Sequence, residues 1–240
     1  MKKLLACLLA LVMVLSLAAC GGTEDIRGTQ IDVPQDTTPV DTVPVDTVPV
    51  DTVPEETTPA EEELSLGVND GIKYESTFIG LGCTLPEGWT FYTEEQLREL
   101  NNITEELVDE AYTEALKDAT TIQDMFASSG DGLSNCNVTL EKVNALSLAV
   151  TDVKDIYEAQ KETLVSGYES MGGANVKIES VTVTIEGKDF EALTLSVDIY
   201  GTTLMQTLFC VKCPGYLATL VVTADSAEAM QAVLDCFYLV

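Results

Sequence analysis

The C-terminal stretch of this chain constrains its fold most. From Asn175 to Thr223 four extended segments follow one another: Asn175–Ile185, Phe190–Tyr200, Thr202–Lys212 and Tyr216–Thr223. Only turn formers separate them, namely Glu186-Gly187-Lys188, Gly201 and Pro214-Gly215. Connections this short leave no room for crossovers, so neighbouring strands must run antiparallel. Proline followed by glycine suits the central pair of a type II turn. Phe209, Val211, Cys213, Tyr216, Ala218, Leu220 and Val222 fall on one side of the last two strands, while Leu204, Leu208, Leu217 and Val221 fall on the other. A sheet that is apolar on both faces has to be covered on both.

Two helical patterns offer that cover. Over Asp152–Met171, the residues Val153, Ile156, Tyr157, Gln160, Leu164 and Tyr168 recur at helical spacing, and Gly172-Gly173 stops the run. Asp225-Ser226-Ala227-Glu228 opens a final helix, with Met230, Val233, Leu234 and Phe237 turned inward. The expected fold is therefore α+β, an antiparallel sheet flanked by helices on both faces (an α/β/α sandwich). Upstream, Ile72–Phe78 and Ile79–Leu85 look extended, and Pro86-Glu87-Gly88 turns the chain into Trp89-Thr90-Phe91. Thr93 and Gln96 form a capping box for a helix ending near Leu100. A second helix starts within Asn102–Glu105 and aligns Val108, Ala111, Tyr112, Ala115 and Ala119; strands at Thr121–Ala127 and Leu133–Val143 then flank the loop Ser128–Gly132.

The first 64 residues have a different character. Prolines stand at 34, 39, 44, 49, 54 and 59, a beat of five built on Val-Asp-Thr-Val-Pro. Residues 21–64 hold twelve acidic side chains, one basic residue (Arg27) and no aromatic. Such a segment cannot bury enough apolar surface to offset its ordering entropy, and proline and like charge keep it extended. It is expected to be a disordered spacer, spanning roughly 35–40 Å as a coil and about 135 Å as a polyproline II rod. A repeat that binds a proline-recognising partner is the alternative, and the threonines at 37, 38, 42, 47, 52, 57 and 58 permit O-glycosylation.

Ahead of the spacer, Lys2 and Lys3 precede an apolar run from Leu4 to Leu17, followed by Ala18-Ala19-Cys20. This pattern reads as a secretory signal peptide over 1–19. The run is short for a membrane-spanning helix, which needs about 20 residues. Leu17-Ala-Ala-Cys20 also resembles the lipobox of bacterial lipoproteins. That resemblance implies cleavage between Ala19 and Cys20, a diacylglyceryl thioether on the Cys20 sulfur and often palmitate on the new amino group. It places the protein on the extracytoplasmic face of the cell membrane, held there through the lipid on Cys20. A plain secreted protein with an incidental cysteine is the competing reading. Residues 20–64 would then be the lipidated spacer, and 65–240 one globular domain.

Within that domain, Tyr74-Glu-Ser-Thr-Phe-Ile-Gly-Leu-Gly-Cys-Thr-Leu-Pro-Glu-Gly-Trp-Thr-Phe91 resembles the opening hairpin of Mog1/PsbP-like domains, as found in uncharacterised clostridial lipoproteins. The resemblance implies the α/β/α sandwich and a non-catalytic accessory or scaffold role. It transfers no binding residue.

Composition removes several chemistries. The chain has no histidine, which excludes Ser-His-Asp and Cys-His catalysis and HExxH zinc sites. A net charge of −28 argues against direct binding to nucleic acid, because phosphate contacts need clustered Lys and Arg. Cys83, Cys136, Cys210, Cys213 and Cys236 lie in the domain, and their disulfide state is open. Cys210-Val-Lys-Cys213 is a CxxC, but positions i and i+3 of a strand face opposite ways, so the two thiols should not meet. No second CxxC completes a four-thiolate zinc site. Ser129–Asn135 is too poor in acids for a calcium loop, and no spacing marks a pair of glycosidase carboxylates. Trp89 and the Tyr157, Leu164, Tyr168 stripe read as core. No metal, cofactor or catalytic residue is expected. The expected role is a lipid-anchored, non-catalytic module that binds an envelope protein or cell-wall component. The alternatives are a small-ligand or cation-binding lipoprotein and, further off, a carboxylate-based hydrolase.

Overall fold

A computed structural model of the chain describes residues 64–101, 112, 115, 116 and 119–240. The signal peptide, Ala19, Cys20 and the proline spacer lie outside the described residues. Of the helix expected between 102 and 119, Tyr112, Ala115 and Leu116 are described and helical, and Tyr112 and Leu116 are buried.

The strands are β1 Val68–Asn69, β2 Lys73–Ser76, β3 Leu81–Thr84, β4 Trp89–Phe91, β5 Thr121–Ser129, β6 Asn135–Lys142, β7 Ala174–Ile185, β8 Lys188–Ile199, β9 Thr202–Cys213, β10 Tyr216–Ala224 and β11 Phe237–Leu239. The helices are α1 Glu94–Leu100, α2 Ala145–Val150, α3 Val153–Ser170 and α4 Ala227–Leu234. β4-β5-β6-β10-β9-β8-β7 form a seven-stranded sheet, and β1-β2-β3-β11 form a second sheet of four. Every pairing is antiparallel.

The C-terminal meander forms as its turns dictate. Glu186 and Gly187 join β7 to β8, and Tyr200 and Gly201 join β8 to β9, all with positive φ. Two-residue turns of that hand match the twist of the strands they join. The two faces divide as the alternation requires. Leu193, Leu195, Leu208, Leu217 and Val221 pack under α3 with Tyr157, Leu164 and Tyr168. Phe209, Ala218, Leu220 and Val222 belong to the core on the other side.

The helix-flanked α/β/α sandwich is not what forms. The described residues are mostly antiparallel β-structure, two sheets with four short helices, and the core on the second face of the large sheet is shared by the small sheet and α4. Tyr74, Leu81, Cys83 and Phe237 join that core, together with Met230, Val233 and Leu234 of α4. Two-sided apolarity demands cover without specifying its kind. β2 and β3 make a hairpin with one apolar face, which is marginal alone. The end of the chain completes it: α4 stops at Leu234, and Phe237, expected on a helix, sits on β11 opposite Cys83. Three further elements were not foreseen, β1, β4 and α2. Asn144 caps α2 by accepting from the Ser147 N–H. The Thr93–Gln96 capping box forms as expected.

Where β8 and β9 part, a side chain replaces the backbone ladder. Ala192–Phe209 is the last pair of that ladder. One step beyond, the Tyr157 hydroxyl accepts from the Cys210 N–H (2.8 Å) and donates to the Glu191 carbonyl (2.9 Å). Tyr168 likewise donates to Gln206 Oε1 at 2.9 Å. The tyrosine stripe of α3 therefore supplies core area and two hydroxyls to the sheet beneath it, and burial pushes both phenols above their ordinary range.

Candidate functional site

A buried carboxyl group stands out in a strand that is otherwise almost entirely apolar inward. β5 pairs Gln123 with Thr139 but Met125 with Val138, so Asp124 is an extra, bulged residue. A bulge re-aims the side chains around it. Here it shifts the alternation by one, sending Ile122, Met125 and Ala127 into the core and leaving Asp124 only 5% exposed. The bulge is stitched in place. The Gln123 amide donates to the Met125 carbonyl (2.7 Å) and the Val138 carbonyl (2.8 Å). The Asn101 side chain pairs with the Gln123 backbone as a neighbouring strand would, accepting its N–H at 2.7 Å and donating to its carbonyl at 3.1 Å.

The Asp124 carboxylate reaches across to the small sheet. Tyr74 on β2 donates its hydroxyl to Oδ2 at 2.6 Å. The Gly67 N–H donates to Oδ1 at 2.9 Å and to Oδ2 at 3.2 Å. Gly67 has to be glycine, because a Cβ there would lie 2.1 Å from the Tyr74 ring. Desolvation pushes the Asp124 pKa up to about 6, against the hydrogen bonds from Tyr74 and Gly67 that pull it down. The Tyr74 phenol is pushed up by burial and by the Asp124 charge. Burial, with Asp124 nearby, raises the Cys213 thiol to about 11. Perturbed acids cluster at functional sites, but structural networks perturb them too. The arrangement binds the leading segment of the domain to the large sheet, and both carboxylate oxygens are engaged within the domain.

The other candidate groups fall as follows. All five domain cysteines are free. Cys210 lies in the core under α3 and Cys213 in the core under the small sheet, so the CxxC faces opposite ways. Asp131 accepts from the Ser129 hydroxyl (2.6 Å) and the Leu133 N–H (3.0 Å), closing its own turn. Among the described residues no three Cys, Asp or Glu side chains gather as a metal site would need. Trp89 is half-buried against the core.

Two features escaped the sequence reading. The Asn137 side chain on β6 is buried and, among the described residues, is the one whose polar atoms, Nδ2 and Oδ1, have no hydrogen-bond partner. α2 exposes Leu146 (81%) and Val150 (85%) one turn apart, in the uncharged stretch Val143–Thr151. The signal for Asp124 was an acid inside Ile122-Gln-Asp-Met-Phe-Ala127. No such signal marks Asn137, which sits where strand alternation predicts a solvent-facing residue.

No family model matches the chain, and no curated protein matches it. Among solved structures it is similar to a protein of Bacteroides thetaiotaomicron VPI-5482, at 15% identity and a TM-score of 0.36 over 71% of this chain and 48% of that one. The chain thus spans about half the length of that protein. It is similar to LpqN of Mycobacterium tuberculosis, described as involved in cell envelope biogenesis, at 10% identity and a TM-score of 0.34 over 72% of this chain and 88% of that one. A Pseudomonas aeruginosa protein of unknown function, PA94, described as a putative regulator, gives 14% identity and a TM-score of 0.28 over 42% and 70%. Likenesses this slight carry no argument, and none supports a Mog1/PsbP-like domain. Among the described residues no helix is long and apolar enough to cross a membrane.

Proposed function

We propose that this protein is a lipid-anchored, extracytoplasmic binding module of a bacterial cell envelope, tethered through lipid on Cys20 after cleavage behind Ala19, and that it binds without catalysing a reaction. The observation that carries the reading is the sequence Leu17-Ala-Ala-Cys20 at the end of an apolar run, followed by a proline-punctuated acidic spacer. Two or three acyl chains anchor firmly, because each buried CH₂ contributes about 0.8 kcal/mol and one chain alone is marginal. Leu146 and Val150, exposed one turn apart on α2, are the apolar pair at which contact with a partner is tested. The test has two arms. Cys20→Ser should move the protein from the membrane fraction to the soluble and secreted fractions; retention on the membrane defeats the anchor. A photo-crosslinker at position 146 on intact cells should give an adduct of one defined mass that is missing with the crosslinker at exposed position 228. Adducts only with the protein itself, or the same adducts from both positions, defeat the binding role.

A second reading, a small-ligand lipoprotein, rests on Asn137. A buried amide with both ends unpartnered is costly unless something pairs with it. Under this reading one member of a panel of envelope sugars, peptides and calcium raises Tm for the native chain and not for Asn137→Val. A flat panel retires it.

A further inference from the structure

The seven-stranded sheet ends in β4 on one side and β7 on the other. β4 has three residues, and the end strands of the small sheet, β1 and β11, have two and three. β7 has twelve. Among the described residues it is the one long free edge, and no hydrogen bond reaches its outer backbone. The turn fixes which groups lie there. Ile185 and Lys188 flank the two-residue turn and pair as a hydrogen-bonded rung, and such rungs recur at every second residue, at 183, 181, 179 and 177. The N–H and C=O groups of Ile178, Ser180, Thr182 and Thr184 therefore point outward. A row of unpaired backbone groups is a template for another strand.

β7 carries two charged side chains, Lys177 and Glu179, both exposed and both on one face of the sheet. Lys177 bears on Asp198 of β8 through space, and among the described residues neither Lys177 nor Glu179 enters an ion pair. A lone lysine blunts an edge. A lysine and a glutamate two residues apart make the edge complementary to itself.

We propose that β7 pairs antiparallel with β7 of a second copy of this chain, about a two-fold axis at Ile178, joining the two large sheets edge to edge. In that register Lys177 of each copy lies directly opposite Glu179 of the other, twice over, in the closer kind of antiparallel pair. The register is specified by charge. A slip of two residues one way sets Lys177 against Lys177, and the other way sets Glu179 against Glu179. A slip of one sets outward backbone groups against inward ones. The axis also keeps the second copy away from the far end of β7, where the Leu239 N–H of β11 donates to Glu186 Oε2 at 2.9 Å. The same patch serves both copies, as a closed two-fold interface requires. The pairing is independent of the binding role tested at position 146.

Sedimentation velocity decides the question, on residues 20–240 carrying Cys20→Ser, with reductant so that no intermolecular disulfide counts. The acidic surface opposes self-association, so the run uses about 0.15 M salt, where charges are screened beyond about 8 Å. A ladder this short should give a dimer with Kd of about 10–100 µM. Lys177→Glu and Glu179→Lys should each weaken it by about tenfold or more, and the double variant should restore it. The two single variants, mixed, should pair with each other. Amide exchange should slow at Ile178 and Ser180 as the concentration rises. A monomer at every concentration up to about 0.5 mM overturns the proposal, and so does a dimer that neither charge reversal weakens. Amides of Ile178 and Ser180 that gain protection only in cell extract assign the edge to a foreign strand and overturn it too.

Discussion

Replacing Asp124 with alanine is expected to cost the fold about 4 kcal/mol near pH 4, and clearly less near neutral pH, read from the midpoint of urea unfolding. The variant leaves two buried donors, the Tyr74 hydroxyl and the Gly67 N–H, with their acceptor removed, and each such group costs about 1–3 kcal/mol. The pH dependence follows from the raised pKa. In the fold Asp124 titrates at about 6, against an ordinary 3.8. Between those values the folded chain holds a proton that the unfolded chain has released. The contribution is therefore fully present below the unfolded value and is lost as pH rises through the folded one. The full step is roughly 3 kcal/mol. The acidic surface also favours acid, because protonation relieves its self-repulsion, so the native chain must be compared with Asp124→Asn. The native chain should lose roughly 2–3 kcal/mol more than the variant between about pH 4 and about pH 7.5. Equal losses in the two would show that the carboxyl group is not the source.

What the sequence made legible was whatever depends on near neighbours. Turn chemistry gave the strand boundaries of the meander, helical spacing gave α3, and alternation assigned Cys210 and Cys213 to opposite faces. What it hid depends on distant partners. Phe237–Leu239 continues a helical pattern, and only the free edge of β3, more than 150 residues earlier, makes it a strand. That one strand extends the hairpin of β2 and β3 into the four-stranded second sheet with β1. The bulge at Asp124 was hidden for the same reason. A slip of one in the alternation of β5 is invisible until β6 supplies the register, and the carboxyl group is tolerated only because Tyr74 and Gly67 arrive from another sheet. The proposed lipidation site is the opposite case: Leu17-Ala-Ala-Cys20 is a local pattern whose reading needs no distant partner.

The second large effect is expected at Phe209. Its side chain has no solvent exposure, and it holds three elements at one point. Its ring lies 5.3 Å from Phe190 on β8 and 6.4 Å from Phe237 on β11. It also occupies the last rung of the β8–β9 ladder, beside the residue whose N–H Tyr157 takes over. Phe209→Ala should cost about 4 kcal/mol, through lost transfer energy and a cavity that two hydrogen-bonded sheets cannot collapse to fill. In a domain of this size that lowers Tm by roughly 10 °C. Phe209→Leu, which keeps most of the volume, should cost under about 1.5 kcal/mol. The location of the damage tells more than its size. If Phe209 is what seats the small sheet, amide exchange in the alanine variant should rise first in β11 and β3, while β9 and β10, still paired along their length, stay protected. Uniform loss of protection would mean that the two sheets unfold as one unit, and that the ring contributes volume without coupling them.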